Sequence, residues 1–169
     1  MANSADVLVD GFGRIREVVH DALAGLSAEQ VNRRPGGRAN SIAWLVWHLT
    51  RIQDDHVAGV ADTEQVWTSA GWYERFALPL PAESHGYGHT SADVDSVRVA
   101  DPALLTGYYD AVHDATLPYV AALADADLDR VVDTRWDPPV TLGVRLVSVI
   151  ADDLQHAGQA AFVRGLLLD

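Results

Sequence analysis

Two histidines and one aspartate carry the strongest chemical suggestion in the chain. Asp152 and His156 stand four residues apart, a spacing that on a helix puts both side chains on one face with Cβ atoms roughly 6 Å apart. That pair lies among Val149, Ile150, Ala157 and Ala160, and His48 lies among Val46, Trp47 and Leu49, so all three project towards apolar stripes. A neutral imidazole offers a lone pair and an aspartate offers a hard oxygen. Two imidazoles and one carboxylate suit Zn2+ first, with Ni2+ or Fe2+ as alternatives, and leave positions for water or substrate. The same pattern also suits a hydrogen-bonded intrahelical pair and a satisfied core histidine, and spacing alone leaves both readings open. The sequence contains no cysteine, so disulfides, a thiolate nucleophile and zinc-thiolate ligation are excluded, and a metal must rest on nitrogen and oxygen.

Residues near this trio supply the remaining candidates. Gln159 and Asp153 can orient a ligand imidazole through its second ring nitrogen, as metal-bound histidines require. Asp153 and Asp55 are the candidate general bases. Asp55 follows His48 by seven residues on one face, and with Arg51 and Asp54 it lines either the mouth of a site or an exposed ion-pair turn. Arg51, Trp44 and Trp72 are candidate substrate contacts, although the default role of a tryptophan is packing. Arg145 and Arg164 can hold an anionic group bidentately but show no inward bias. His56 lies eight residues past His48, about 12 Å along a helix axis and too far to share its ion. His85 and His89 flank a Gly-Tyr-Gly turn that reads better as a solvated loop than as a second metal site.

These side chains need elements to hold them. Apolar residues recur at steps of three and four from Val7 to Leu26, giving helix one. Ser27 and Gln30 form a capping-box pattern for a short turn before the Arg34-Pro35-Gly36-Gly37 break. Asn40 or Ser41 caps helix two, which runs to about Val60 and carries Trp44, Trp47 and His48. Residues 62–99 lack sustained periodicity and read as a long connection with at most one short helix, a candidate wall or lid. Asp101-Pro102 opens helix three, which continues to Leu123 with Pro118 as a possible kink. After an acidic link over 125–137 and the Pro138-Pro139 stop, Thr141 caps helix four, with Leu142, Leu146, Val149, Ile150, Ala157, Ala161 and Leu166 inward. Four amphipathic segments without strand-like alternation predict an all-α four-helix bundle, whose sites are built from inward polar side chains on neighbouring helices.

Composition bounds the function. The 169 residues, 49% hydrophobic and 21% charged, suit a single domain over 1–169. A net charge of -12 repels nucleic-acid backbones and anionic lipid surfaces. The N-terminus has no basic leader pattern and no apolar run approaches a membrane span, which points to a cytoplasmic protein.

The stretches Asn40-Ser41-Ile42-Ala43-Trp44-Leu45-Val46-Trp47-His48-Leu49 and Asp152-Asp153-Leu154-Gln155-His156-Ala157-Gly158-Gln159 resemble the two signature helices of the DinB/YfiT-like superfamily. The resemblance implies an up-down-down-up bundle holding a divalent metal between a histidine of helix two and an HxxxH pair of helix four, here His48, Asp152 and His156. Asp152 departs from the family pattern, standing where most members have the first histidine of the pair. The related mycothiol-dependent maleylpyruvate isomerases have an acidic residue there, so the substitution is not foreign to the superfamily. It hardens the site and weakens any preference for softer metals.

The resemblance implies a small-molecule enzyme, foremost a thiol-dependent S-transferase or isomerase using mycothiol or a similar thiol as cosubstrate. A hydrolase in which the ion activates water is one alternative, and a non-catalytic ligand-binding or dimeric interaction bundle is another. The apolar tail of Phe162, Leu166, Leu167 and Leu168 predicts a homodimer formed by helix packing.

Overall fold

Polar caps set where the helices begin. In the computed structural model, which describes residues 2–168, Asn3 and Asp6 form a reciprocal capping box at the start of α1 (Ser4–Leu23). Ser27 and Gln30 do the same for the short α2 (Ala28–Asn32). Ser41 Oγ accepts the Trp44 N–H at 3.1 Å and opens α3 (Ile42–Ala61), which ends where Asp62 turns left-handed at φ 56°. The connection that follows contains α4 (Val66–Ser69), α5 (Trp72–Phe76) and α6 (Ser91–Ser96). Asp101 Oδ1 accepts the Ala103 N–H at 2.9 Å where α7 (Ala103–Ala121) starts. Strands β1 (Val131–Asp133) and β2 (Val140–Thr141) then pair antiparallel and lead directly into α8 (Leu142–Leu168).

The four long helices make the frame. α1 packs against α7 and α8, and α3 packs against the same two. Phe12, Ile15 and Val19 of α1 meet Leu105 and Val112 of α7, Leu45 and Leu49 of α3, and Leu142, Leu146 and Val149 of α8 in one continuous core. Each such side chain, fully withdrawn from water, contributes about 1.5–3 kcal/mol of transfer free energy.

Several expectations change. Helix one stops at Leu23, because Gly25 at φ 71° breaks it before Leu26. The long connection holds three short helices rather than one, and the acidic link holds a two-stranded ribbon. Segments of two to six residues are too short to display a period. On α8 the buried face carries Asp153, Ala160 and Val163, while Ala161 and Leu166 point to solvent. A 27-residue helix drifts around its axis, so a stripe extrapolated from its first turns misplaces its last ones. α3 is buried on every face from Ile42 to Asp54, not on one stripe, because the connection wraps the side turned away from the other long helices. No helix among the described residues is long and apolar enough to cross a membrane.

Candidate metal centre

The full burial of α3 is what makes its polar residues informative. His48 is 3% exposed and lies against α8, where Asp152 and His156 reach towards it. One donor atom from each of the three lies within 4.8 Å of the other two. The His48 and His156 rings meet edge to face with centroids 4.8 Å apart, and His156 Nε2 stands 3.7 Å from Asp152 Oδ1. Donors bound tetrahedrally at about 2.0–2.1 Å stand roughly 3.3 Å from one another, so small rotations of the rings close the set on one ion.

The second atom of each candidate ligand decides what the first can do. His48 Nδ1–H donates to the His85 carbonyl, which fixes the tautomer and turns Nε2 to the site. His156 Nδ1–H donates to Gln159 Oε1 at 3.0 Å. Asp152 Oδ2 is buried with no hydrogen-bond partner, a costly state for a carboxylate oxygen unless a cation satisfies it. Burial, reinforced by the His156 charge, lowers the His48 pKa to about 4 against the pull of the His85 carbonyl and Asp152. The imidazole is therefore neutral at physiological pH, as a ligand must be. The donor set fits a divalent ion: two imidazole nitrogens and one carboxylate, with an orphaned oxygen among them.

The segment Ser84–His89 forms one wall, and its role could not be read from spacing. Gly86 (φ 104°) and Gly88 (φ 72°) bracket Tyr87, whose ring packs edge-on against His48 at 5.6 Å. A Cβ at Gly86 would collide with the His48 ring, so the close approach of backbone to imidazole requires glycine. Trp44 stacks on His48 at 4.6 Å, and its Nε1–H donates to His89 Nδ1 at 3.1 Å. His89 Nε2–H then donates to Ser84 Oγ at 2.9 Å. His85 and His89 thus act on His48 through a backbone carbonyl and an indole. The Gly-Tyr-Gly sequence was the available signal for this close approach.

Other candidates take different places. Arg51 is fully buried and donates to the carbonyls of Ser84 (3.1 Å) and Ala82 (3.3 Å), to Gln65 Oε1 (2.7 Å) and to Tyr108 Oη (3.4 Å). It clamps the wall segment, and its donors are engaged there rather than offered to a substrate. Asp54, beside it at 3.7 Å, accepts from the Val66 and Trp67 N–H groups and from Tyr108. Trp72 packs on Phe76 and Tyr108 under the Arg75 guanidinium, among α5 and α7 side chains, instead of walling the triad.

Asp153 is fully buried with neither oxygen hydrogen-bonded, and burial followed by the Asp152 charge drives its pKa well upward. Its carboxyl has no access to solvent and bonds to neither imidazole of the triad. Asp55 accepts from Gln65 Nε2 at 2.8 Å and lines a neighbouring cleft with His56 and Arg145. Arg164 donates to the Ala22 carbonyl at 3.4 Å.

A mostly helical frame brings a histidine of α3 to an Asp-x-x-x-His pair of α8, the arrangement of a DinB-like protein with aspartate in place of the first histidine of the pair. Within that class the chain belongs to the mycothiol-S-transferase family, whose family model matches residues 7–168. It is similar to a conserved protein from Enterococcus faecalis known from a crystal structure, with TM-score 0.93 and 33% identity over 99% of each chain. No curated protein matches the sequence.

Proposed function

We propose that the protein is a metal-dependent thiol S-transferase built on a four-helix bundle in the up-down-down-up order, with mycothiol or a similar low-molecular-weight thiol as cosubstrate. The convergence of His48, Asp152 and His156 carries this reading, because each histidine is independently oriented and the carboxylate keeps an unsatisfied oxygen. The name of the family to which the chain belongs supports the choice of thiol. A divalent ion at the triad, Zn2+ foremost, would stabilise the thiolate form of the bound thiol as a Lewis acid. The chain's own contribution is positional. The His85 carbonyl and Gln159 hold the imidazoles in the ligand tautomer, Trp44 shields His48 from water, and Tyr87 covers the approach. Asp152 lowers the net charge of the loaded site by one unit.

Conjugation of mycothiol to a small alkylating electrophile, followed as loss of free thiol, tests this reading. Activity and bound metal should disappear together in His156→Ala. Turnover that persists without thiol would favour hydrolysis, and activity retained in the variant would contradict the assignment. The exposed Phe162, Leu166 and Leu168 of α8 support a homodimer, which sedimentation would register as twice the 18.3 kDa chain mass. A cytoplasmic setting is consistent with this chemistry.

A further inference from the structure

α8 turns a face away from the bundle, and no charge falls on it. Every exposed residue of α8 from Val144 to Leu168 is uncharged, whereas the exposed side of α1 carries Asp6, Asp10, Arg14, Glu17 and Asp21. A surface helix that meets only water presents polar and charged side chains there. On α8, Val144, Ala151, Gly158 and Gly165 recur at every seventh residue, and all four are exposed. Val147, Leu154, Ala161 and Leu168 form a second exposed series three residues further on. These are the a and d positions of a heptad pattern, the seam by which one helix packs along another. Val144, Val147 and Leu168 each leave more than half of their surface in water, so the seam has no partner among the described residues.

Two of its residues have no reason within the chain. Gly158 and Gly165 lie inside the helix, where glycine is less favourable than alanine. A Cβ on either would meet nothing within 4 Å, and neither has a positive φ. Neither internal packing nor backbone conformation therefore calls for glycine, and both open the seam to close approach from outside.

The spacing also complements itself. Against an antiparallel second copy, about a two-fold axis level with position 156, Leu154 lies over the partner's Gly158 and Val147 over the partner's Gly165. Ala151 then meets the partner's Ala161, and Val144 the partner's Leu168. Large side chains enter the spaces left by small ones, and each pairing occurs twice, as an isologous contact requires. The overlap takes in both series over 144–168, about 36 Å of helix. A strip of that length and about 10 Å wide projects to roughly 350 Å², and its ridged side chains expose more, so two strips with Phe162 and Leu166 at their flanks reach the roughly 1,000 Å² of a specific interface.

We infer that α8 packs antiparallel on the α8 of a second copy in this register. Each copy carries a net charge of -12, and the uncharged seam is where two copies meet without opposing like charges. Asp152 and His156 lie on the side of α8 turned to His48, so both triads stay outside the contact. The inference gives the homodimer proposed above its surface and its register, and it needs neither metal nor thiol.

The chain has no cysteine, so introduced thiols report the register directly. Ser148, Gln155 and Phe162 are exposed along one flank of the seam. The two-fold axis sets Gln155 beside the partner's Gln155 and Ser148 opposite the partner's Phe162, while like residues at 148 or at 162 stand about 21 Å apart along the helices. With a short bis-maleimide, Gln155→Cys should cross-link to a dimer, Ser148→Cys and Phe162→Cys should each fail alone, and a mixture of those two should cross-link. By sedimentation the wild type should run at twice the 18.3 kDa chain mass. Gly158→Leu, which fills the open space while favouring the helix, should run as a monomer with its helical circular dichroism intact. A monomeric wild type, a Gly158→Leu protein as dimeric as the wild type, no cross-link in Gln155→Cys, or equal cross-linking of Ser148→Cys alone would each overturn the inference. Both readouts work on metal-free protein, so failure here leaves the metal and conjugation tests intact, and failure of those leaves this one interpretable.

Discussion

Gly86→Ala perturbs the site without touching a ligand. The added Cβ would meet the His48 ring, and the backbone at φ 104° lies where an L side chain is strained. The strain alone costs about 1–3 kcal/mol. The larger consequence is geometric, because the wall must retreat and take the His85 carbonyl from His48 Nδ1. Loss of such an orienting partner lowers metal affinity about 10–100-fold, or roughly 1.4–2.7 kcal/mol. Gly88→Ala is the matched control: it has a similarly left-handed backbone at φ 72° with open space around its Cβ. Competition against a chromogenic chelator would measure affinity in both variants, with circular dichroism confirming that each is folded. The expected result is a drop of at least tenfold in Gly86→Ala and little change in Gly88→Ala. Wild-type affinity in Gly86→Ala, or equal losses in both, would refute the claim that the His85 carbonyl orients His48.

Three further outcomes follow from buried polar groups. With the folded-state pKa of His48 at about 4 and the unfolded value near 6.5, the unfolded chain binds more protons below neutrality, so metal-free protein loses stability as pH falls. Between pH 7.5 and 5 that single group accounts for about 2 kcal/mol; thermal unfolding of His48→Gln should show a correspondingly smaller loss, and an identical loss would refute the assignment. Arg51→Met leaves Asp54 and the carbonyls of Ser84 and Ala82 without their buried cation, and denaturant unfolding should register about 3 kcal/mol or more; a change below about 1 kcal/mol would show that the clamp is dispensable. Gly107→Ala drives a methyl group to 2.8 Å from Trp72, so its melting temperature should fall through overpacking of about 1–3 kcal/mol with metal content unchanged, and a lost ion would show that Trp72 communicates with the triad.

The triad was legible because both helices that carry it have long apolar periodicity, and a four-residue spacing has a fixed meaning on a helix. Gln159 was legible for the same reason, lying three residues from His156. The wall was not. His85 acts through its backbone carbonyl, Gly86 through the absence of a side chain, and Arg51 through contacts with residues more than thirty positions away, none of which has a local sequence period. Residue type and helical register suggest substrate contacts for Arg51 and Trp72, because neither reveals that the connection folds over α3. Asp153 sits one residue from Asp152 yet is buried in the core, since adjacent helical positions diverge by about 100°. The ribbon before α8 has no sequence signature because its strands are shorter than the pattern that identifies one.

Elemental analysis of untagged protein, wild type against His48→Ala, tests the central claim most directly. About one divalent ion per chain in the wild type, lost in a variant that still folds, is the predicted result. Stoichiometric metal retained in His48→Ala, or none in the wild type even after incubation with Zn2+, would contradict it.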